Sequence, residues 1–223
     1  MRTLAFYKEK LAGLLHRREE ISQAIEEAQY VVVDTELTGL ELKKDSIISI
    51  GAVKMAGNRI ELGNTFYQLI SHPGEMPHES VAIHGITPSD LTEQPVMEKV
   101  LAEFLDFCGR RIIVGHFLSL DLAFLNNVMK QLYGAALPNP GIDTAKIYRW
   151  MKANNENFSR HYSDKPENMD LFTLARELGI ALSNGHNALG DAFITAQLFQ
   201  RFLASLPGLG VRTVKELLII GRG

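Results

Sequence analysis

The sequence predicts an α/β protein built on a mixed sheet with helices on its faces. Two observations carry this. Three consecutive β-rich runs are joined by short connections suited to antiparallel hairpins, and beyond them the pattern switches to alternating helices and brief apolar strands. A third observation bounds the answer: 223 residues, 46% of them hydrophobic and 22% charged, suit one ordinary soluble domain with a short appendage at either end.

The elements follow in chain order. In residues 1–28, Leu4, Tyr7, Leu11, Leu14, Arg18, Ile21, Ile25 and Ala28 recur at steps of three and four, which predicts a helix with one apolar stripe. Arg18 interrupts the seam, so docking on the domain's own surface is favoured over a coiled coil. The runs QYVVVDTEL from Gln29, SIISIGAVKM from Ser46 and RIELGNTFYQLI from Arg59 predict three strands, with turns at Lys43 to Asp45 and, more clearly, at Gly57 and Asn58. After the histidine-rich stretch SHPGEMPHESVAIHGIT come a helix from Val96 to Phe107, a buried strand RIIVG ending at Gly115, and a helix from Leu120. GID at Gly141 then predicts a brief strand and DTAKIYRWM a helix, with Asp143 as its cap. A polar, Asn-containing loop is expected from Lys152 to Asp170, then helices over LFTLARELGI and ALGDAFITAQLFQRFLASL, then a Gly-containing tail. The expected organisation is an N-terminal helical extension at 1–28, a domain at 29–206 and a tail at 207–223.

Composition narrows the function classes. The longest apolar runs fall far short of the roughly 20 residues that cross a bilayer, and charges break the N-terminal run MRTLAFYKEKLAGLLHRREE before a secretory signal forms. Cys108 is the only cysteine, which excludes an intrachain disulfide and a cysteine-cluster zinc site. A reducing, cytoplasmic setting without membrane contact is the expectation. The formal charge of −3 argues weakly against a polyanionic partner. Were four of the 26 acidic residues neutralised by cations, the balance with 23 basic residues would turn marginally positive, so nucleic acid stays open.

Three short elements carry chemistry. Asp34 and Glu36 flank Thr35 directly after the apolar run YVVV; residues two apart in a strand share a side, and the repulsion between such carboxylates is relieved by a hard cation such as Mg2+ or Mn2+. In HFLSLD, His116 to Asp121, a buried strand gives way to a helix with Asp121 near its start. In HNALGDA, His186 precedes Asp191 by five residues, and Asp191 borders the core-facing stripe of the last long helix, a costly place for an unpaired acid. Each alone is weak: the first has the ordinary reading of a solvated strand end, the second that of an acid favoured by a helix dipole, and a histidine five residues before an aspartate is common by itself. HESVA at His78 lacks the second histidine of a zinc-protease helix, and no Walker-type loop or Gly-x-Ser-x-Gly elbow occurs.

Together and in this order, VVVDTELTGL, HFLSLDLAFL and HNALGDA resemble the three motifs of the DnaQ-like 3′-to-5′ exonucleases of the DEDDh group, and IHGIT at Ile83 to Thr87 resembles the segment before the family's first long helix. The resemblance covers about 29–206. It implies a ribonuclease H-like five-stranded sheet, two divalent cations (Mg2+ or Mn2+) on Asp34, Glu36, Asp121 and Asp191, and His186 as general base. Two such cations stabilise both the attacking and the leaving oxygen of a phosphodiester. A histidine with an ordinary pKa near 6.5 suits proton abstraction near neutrality.

Departures from the family pattern fall beside the acids. Phe117 stands where Asn is common, Leu120 where Phe is common, and Leu37 where Thr is usual. Thr35, Leu37, His84 and Phe117 are the expected substrate contacts, with apolar surface for the terminal base; Leu120 is expected to pack in the core. The implied partner is nucleic acid with a free 3′ end, single-stranded DNA favoured, and a DNA polymerase. Two readings stand beside the DNA exonuclease acting in proofreading or repair: an exoribonuclease of the same fold, resembling ribonuclease T or oligoribonuclease, and a non-catalytic polymerase-associated binding module.

Overall fold

The computed structural model describes residues 22–154, 169–182 and 186–223. Three antiparallel strands, β1 (Gln29–Leu37), β2 (Ile47–Ala56) and β3 (Arg59–Leu69), are followed by two short parallel ones, β4 (Ile112–Gly115) and β5 (Gly141–Asp143). They form one sheet in the order β3-β2-β1-β4-β5, with β1–β4 and β4–β5 parallel. The β2–β3 hairpin turns at Gly57, whose φ of 56° is open to glycine without steric cost. Around the sheet lie α1 (His78–His84), α2 (Met97–Cys108), α3 (Ser119–Tyr133), α4 (Thr144–Asn154), α5 (Leu171–Glu177), α6 (Ala188–Ser205) and α7 (Val214–Gly221).

The period-2 alternation of β1 sorts the core into two layers. Tyr30 and Val32 point into a cluster with Val53, Ile147, Met151, Ile194 and Phe199, between the sheet and α4 to α7. Val31 and Val33 point the other way, into Ala52, Phe104, Ile113, Phe124 and Leu125 under α2 and α3. Tyr30 meets Phe199 edge-on at 5.0 Å and donates its hydroxyl to the Ile25 carbonyl at 2.9 Å. The aromatic ring is thereby buried with its polar end satisfied.

Three expectations change. The N-terminal helical stripe does not continue to residue 28: residues 22–28 form turns and a bridge between Ala24 and Thr213, and Ile25 and Ala28 are buried in the first core layer. The remainder of that predicted helix lies outside the described residues. The tail after Ser205 is instead a 3-10 turn and the helix α7, started by a capping box in which Thr213 and Glu216 satisfy each other's backbone N–H groups and docked through Val214 and Leu217. The glycines of this segment hid an apolar, well-capped helix of about two turns. The histidine-rich stretch contains α1, a helix of only seven residues closed by Gly85 at φ 73°. Most of the polar connection before Asp170 falls outside the described residues, and its first three, Lys152 to Asn154, complete α4.

Candidate active site

The end of β1 projects Asp34 and Glu36 onto the face covered by α6, and Asp191 in the first turn of α6 comes down to meet them. One ligand oxygen from each of the three lies within 4.8 Å of the others. Two local features bring α6 close. Asn187 caps the helix by accepting the Gly190 N–H at 2.9 Å. Gly51, paired with Asp34 across β1 and β2, leaves room for the helix backbone: a methyl group there would overlap Ala188 and Leu189 main-chain atoms.

Asp121 reaches the same strand end from the opposite face. Thr35, out of phase with its acidic neighbours, donates its backbone N–H at 3.0 Å and its hydroxyl at 2.5 Å to Asp121 Oδ1. This parity is why Asp121 falls outside the tight group of three while its charge still bears on Asp34 and Glu36. Thr35, expected to contact substrate, is the residue that joins the second face of the sheet to the site.

The electrostatics are those of crowded, buried acids. Burial, followed by the charges of Asp121, Glu36 and Asp191, holds the Asp34 carboxyl well above the usual carboxylate range. Burial, then Asp191 and Asp121, raises Glu36 to about 7. Asp121 is pushed up to about 7 by burial against the opposing hydrogen bonds from Thr35. Asp191 is raised to about 6 by burial, which the neighbouring His186 counters. Glu36 Oε1 and Asp191 Oδ1 are buried without a hydrogen-bond partner. Unsatisfied hard oxygens converging at repelling carboxylates fit a divalent cation of the Mg2+ or Mn2+ type.

His186 stands just ahead of the α6 cap, its side chain 48% exposed, with Nδ1 3.5 Å from Asp191 Oδ2. His116 is buried and bridges elements, Nδ1 facing Thr144 Oγ1 at 2.8 Å and Nε2 the Met169 carbonyl at 2.6 Å. Asp143 caps as expected, accepting the Ala145 N–H at 2.9 Å, and also holds the Phe117 N–H at 3.1 Å. Phe117 itself lies at φ 53°, 45% exposed, with its ring beside His116. Leu120 is 37% exposed rather than packed in the core. Leu37 is partly buried, packing against the second core layer. His84 is buried, its Nδ1 accepting the Ile86 N–H and its Nε2 shielded from solvent, so it locks the IHGIT turn. Gly51 and the capping role of Asn187 escaped the sequence reading; only the position of Gly51 inside an otherwise apolar strand signalled a close backbone approach.

Comparison with known proteins agrees with this geometry. The family profile RNase T, described as exonuclease, matches residues 31–199. The DNA polymerase III subunit epsilon of Aquifex aeolicus is 33% identical over 178 residues, spanning 79% of this chain and 81% of the relative. The DNA polymerase III PolC-type of Thermotoga maritima is 35% identical over 191 residues, 86% of this chain but 13% of that much longer relative. Among solved structures, Escherichia coli exonuclease I in complex with a dT13 oligonucleotide superposes with a TM-score of 0.69 at 17% identity, over 82% of this chain and 42% of that one. Exonuclease X in complex with 5′ overhanging duplex DNA gives 0.61 at 21% identity, over 84% and 99%. With the profile covering most of the chain and the motif acids gathered at one strand end, the protein belongs to the DnaQ-like exonuclease family of ribonuclease H-like fold.

Proposed function

We propose that the protein is a divalent-cation-dependent 3′-to-5′ exonuclease that releases nucleoside 5′-monophosphates from DNA 3′ ends, with single-stranded ends preferred. The observation that carries this is the convergence of Asp34, Glu36 and Asp191, two of them with an orphaned buried oxygen, next to an Asp121 held in place by Thr35.

Asp34, Glu36, Asp121 and Asp191 hold the cations, which when bound supply charge neutralisation at the phosphoryl oxygens and acidify the attacking water. Thr35 keeps Asp121 oriented by engaging its Oδ1 from both the backbone N–H and the hydroxyl. His186 accepts the proton of the water; its Nδ1 faces Asp191, which leaves Nε2 for the transfer. Phe117 and Leu120, exposed at the corner between β4 and α3, offer apolar surface on which the terminal base stacks irrespective of sequence. The relatives named as DNA polymerase III subunits, and neighbours solved with single-stranded and overhanging DNA, support DNA as substrate and a polymerase as partner, with action in the cytoplasm. Among the described residues no helix is long and apolar enough to cross a membrane.

The test is digestion of 5′-labelled single-stranded DNA, duplex DNA and RNA of one sequence with Mg2+, Mn2+ or chelator. The expected result is a ladder on single-stranded DNA, nucleoside 5′-monophosphate product and no cleavage in chelator. Cleavage confined to RNA moves the assignment to the exoribonuclease reading, and cleavage insensitive to chelator removes the cation mechanism.

A further inference from the structure

We propose that Phe172 is a positioning residue for His186, holding the imidazole beside Asp191 from a ledge anchored to the end of β4. The inference rests on the reading of His186 as general base.

Among the described residues, little else fixes His186. It precedes the helix cap, is half exposed, and its approach to Asp191 is 3.5 Å, longer than a good hydrogen bond. Among the described residues it also meets the Phe172 ring, with centroids 4.5 Å apart and planes at 72°, a favourable edge-on aromatic pair. The buried stripe of α5 runs through Leu171, Leu174 and Ala175; Phe172 lies off it, partly buried against the edge of the first core layer, and from there its ring reaches His186.

The ledge is anchored. Asp170 caps α5 by accepting the Thr173 N–H at 2.9 Å. One residue earlier, the Met169 carbonyl accepts from His116 Nε2, and His116 is held from its other nitrogen by Thr144. Burial keeps His116 below the usual histidine range, and since the Met169 carbonyl can only accept, Nε2 is the donor of that bond. His116 follows β4 directly, five residues ahead of Asp121. The base is thus referenced, through Phe172 and α5, to the strand end that also leads to an acid on the other face.

The test compares Phe172→Leu, which keeps apolar volume, with Phe172→Tyr, which keeps the ring, each alone and in a His186→Ala background. In the metal-free protein, the imidazole proton resonance identified by its absence from His186→Ala should move in Phe172→Leu, because the ring-current shift is lost, and stay in Phe172→Tyr. With Mg2+ and a 5′-labelled single-stranded DNA oligonucleotide, Phe172→Leu should lower kcat about twofold to twelvefold, the factor an aromatic pair is worth. KM and Mn2+ affinity should be unchanged, Phe172→Tyr should restore the rate, and Phe172→Leu should add nothing in the His186→Ala background. A wild-type rate in Phe172→Leu beside a slow His186→Ala overturns the positioning role alone, as does an equal further loss in the double variant. Full rate in His186→Ala overturns the base assignment and this inference with it.

Discussion

Thr35 stands between two acids and serves neither of them; its hydroxyl and N–H both go to Asp121, across the sheet. Thr35→Val keeps the shape and the backbone bond but removes one hydrogen bond to a charged group, a loss of about 1.5–3 kcal/mol. The expected result is a higher Mg2+ concentration for half-maximal rate, recovered in Thr35→Ser; unchanged metal dependence would separate Thr35 from the site. Asp34 gives the opposite balance. Its carboxyl is crowded by three other acids. Asp34→Asn should therefore abolish hydrolysis while raising the melting temperature of the metal-free protein, and near-normal turnover in this variant would remove the carboxylate cluster as the reaction centre.

Between residues and the whole, two places set how elements meet. Gly51 lets the α6 backbone settle on β2 opposite Asp34. Gly51→Ala forces them apart; overpacking of this kind costs about 1–3 kcal/mol, and the shift carries Asp191 away from Glu36. Mn2+ affinity and turnover should both fall, and retention of both in a stable variant would show that the helix tolerates the displacement. At the corner where β4 becomes α3, Phe117 occupies the left-handed region at φ 53°, a conformation that costs an L-residue roughly 1–2 kcal/mol. Strain at such a place is retained when the side chain is used. Phe117→Gly should raise the melting temperature and raise KM for single-stranded DNA; stabilisation with unchanged KM would mean the ring does not meet the substrate.

For the molecule as a whole, stability is linked to the state of the site. Glu36 and Asp121 are raised to about 7 and Asp191 to about 6, against about 4 for carboxyls in an unfolded chain. The folded protein therefore keeps protons that the unfolded chain has released, and this contribution is complete below about pH 4 and lost as pH rises through about 6 to 7. The melting temperature of the metal-free protein should fall between about pH 5 and pH 8, and Mg2+ should raise it far more at the upper end, since only ionised carboxylates bind the cation. A metal-free protein that is stabilised over that interval would place the controlling titration elsewhere. Cooperativity extends to both ends of the described chain. Ile25 packs in the first core layer and Ala24 bridges Thr213 next to the α7 cap; Ile25→Ala should cost about 2–5 kcal/mol in denaturant melts, as a core truncation does.

What the sequence by itself determined were the features written in local pattern. Alternation in β1, the hairpin at Gly57, the helices beginning near Asp121 and Asp191, and the order of the three acidic motifs all lie within windows of a few residues, where periodicity and capping chemistry act directly. What only the tertiary structure decided depends on which face an element turns and what lies beyond it. Strand parity sends Asp34 and Glu36 toward Asp191 and leaves Thr35 to catch Asp121; no spacing in the sequence states that Asp121 arrives from the other side. Leu120 is exposed instead of packed in the core because burial is set by neighbours distant in sequence. Residues 22–28 and α7, expected as appendages, became part of one core because Ile25 and Ala28, legible only as the end of a helical stripe, are buried in the same layer as Val214 and Leu217.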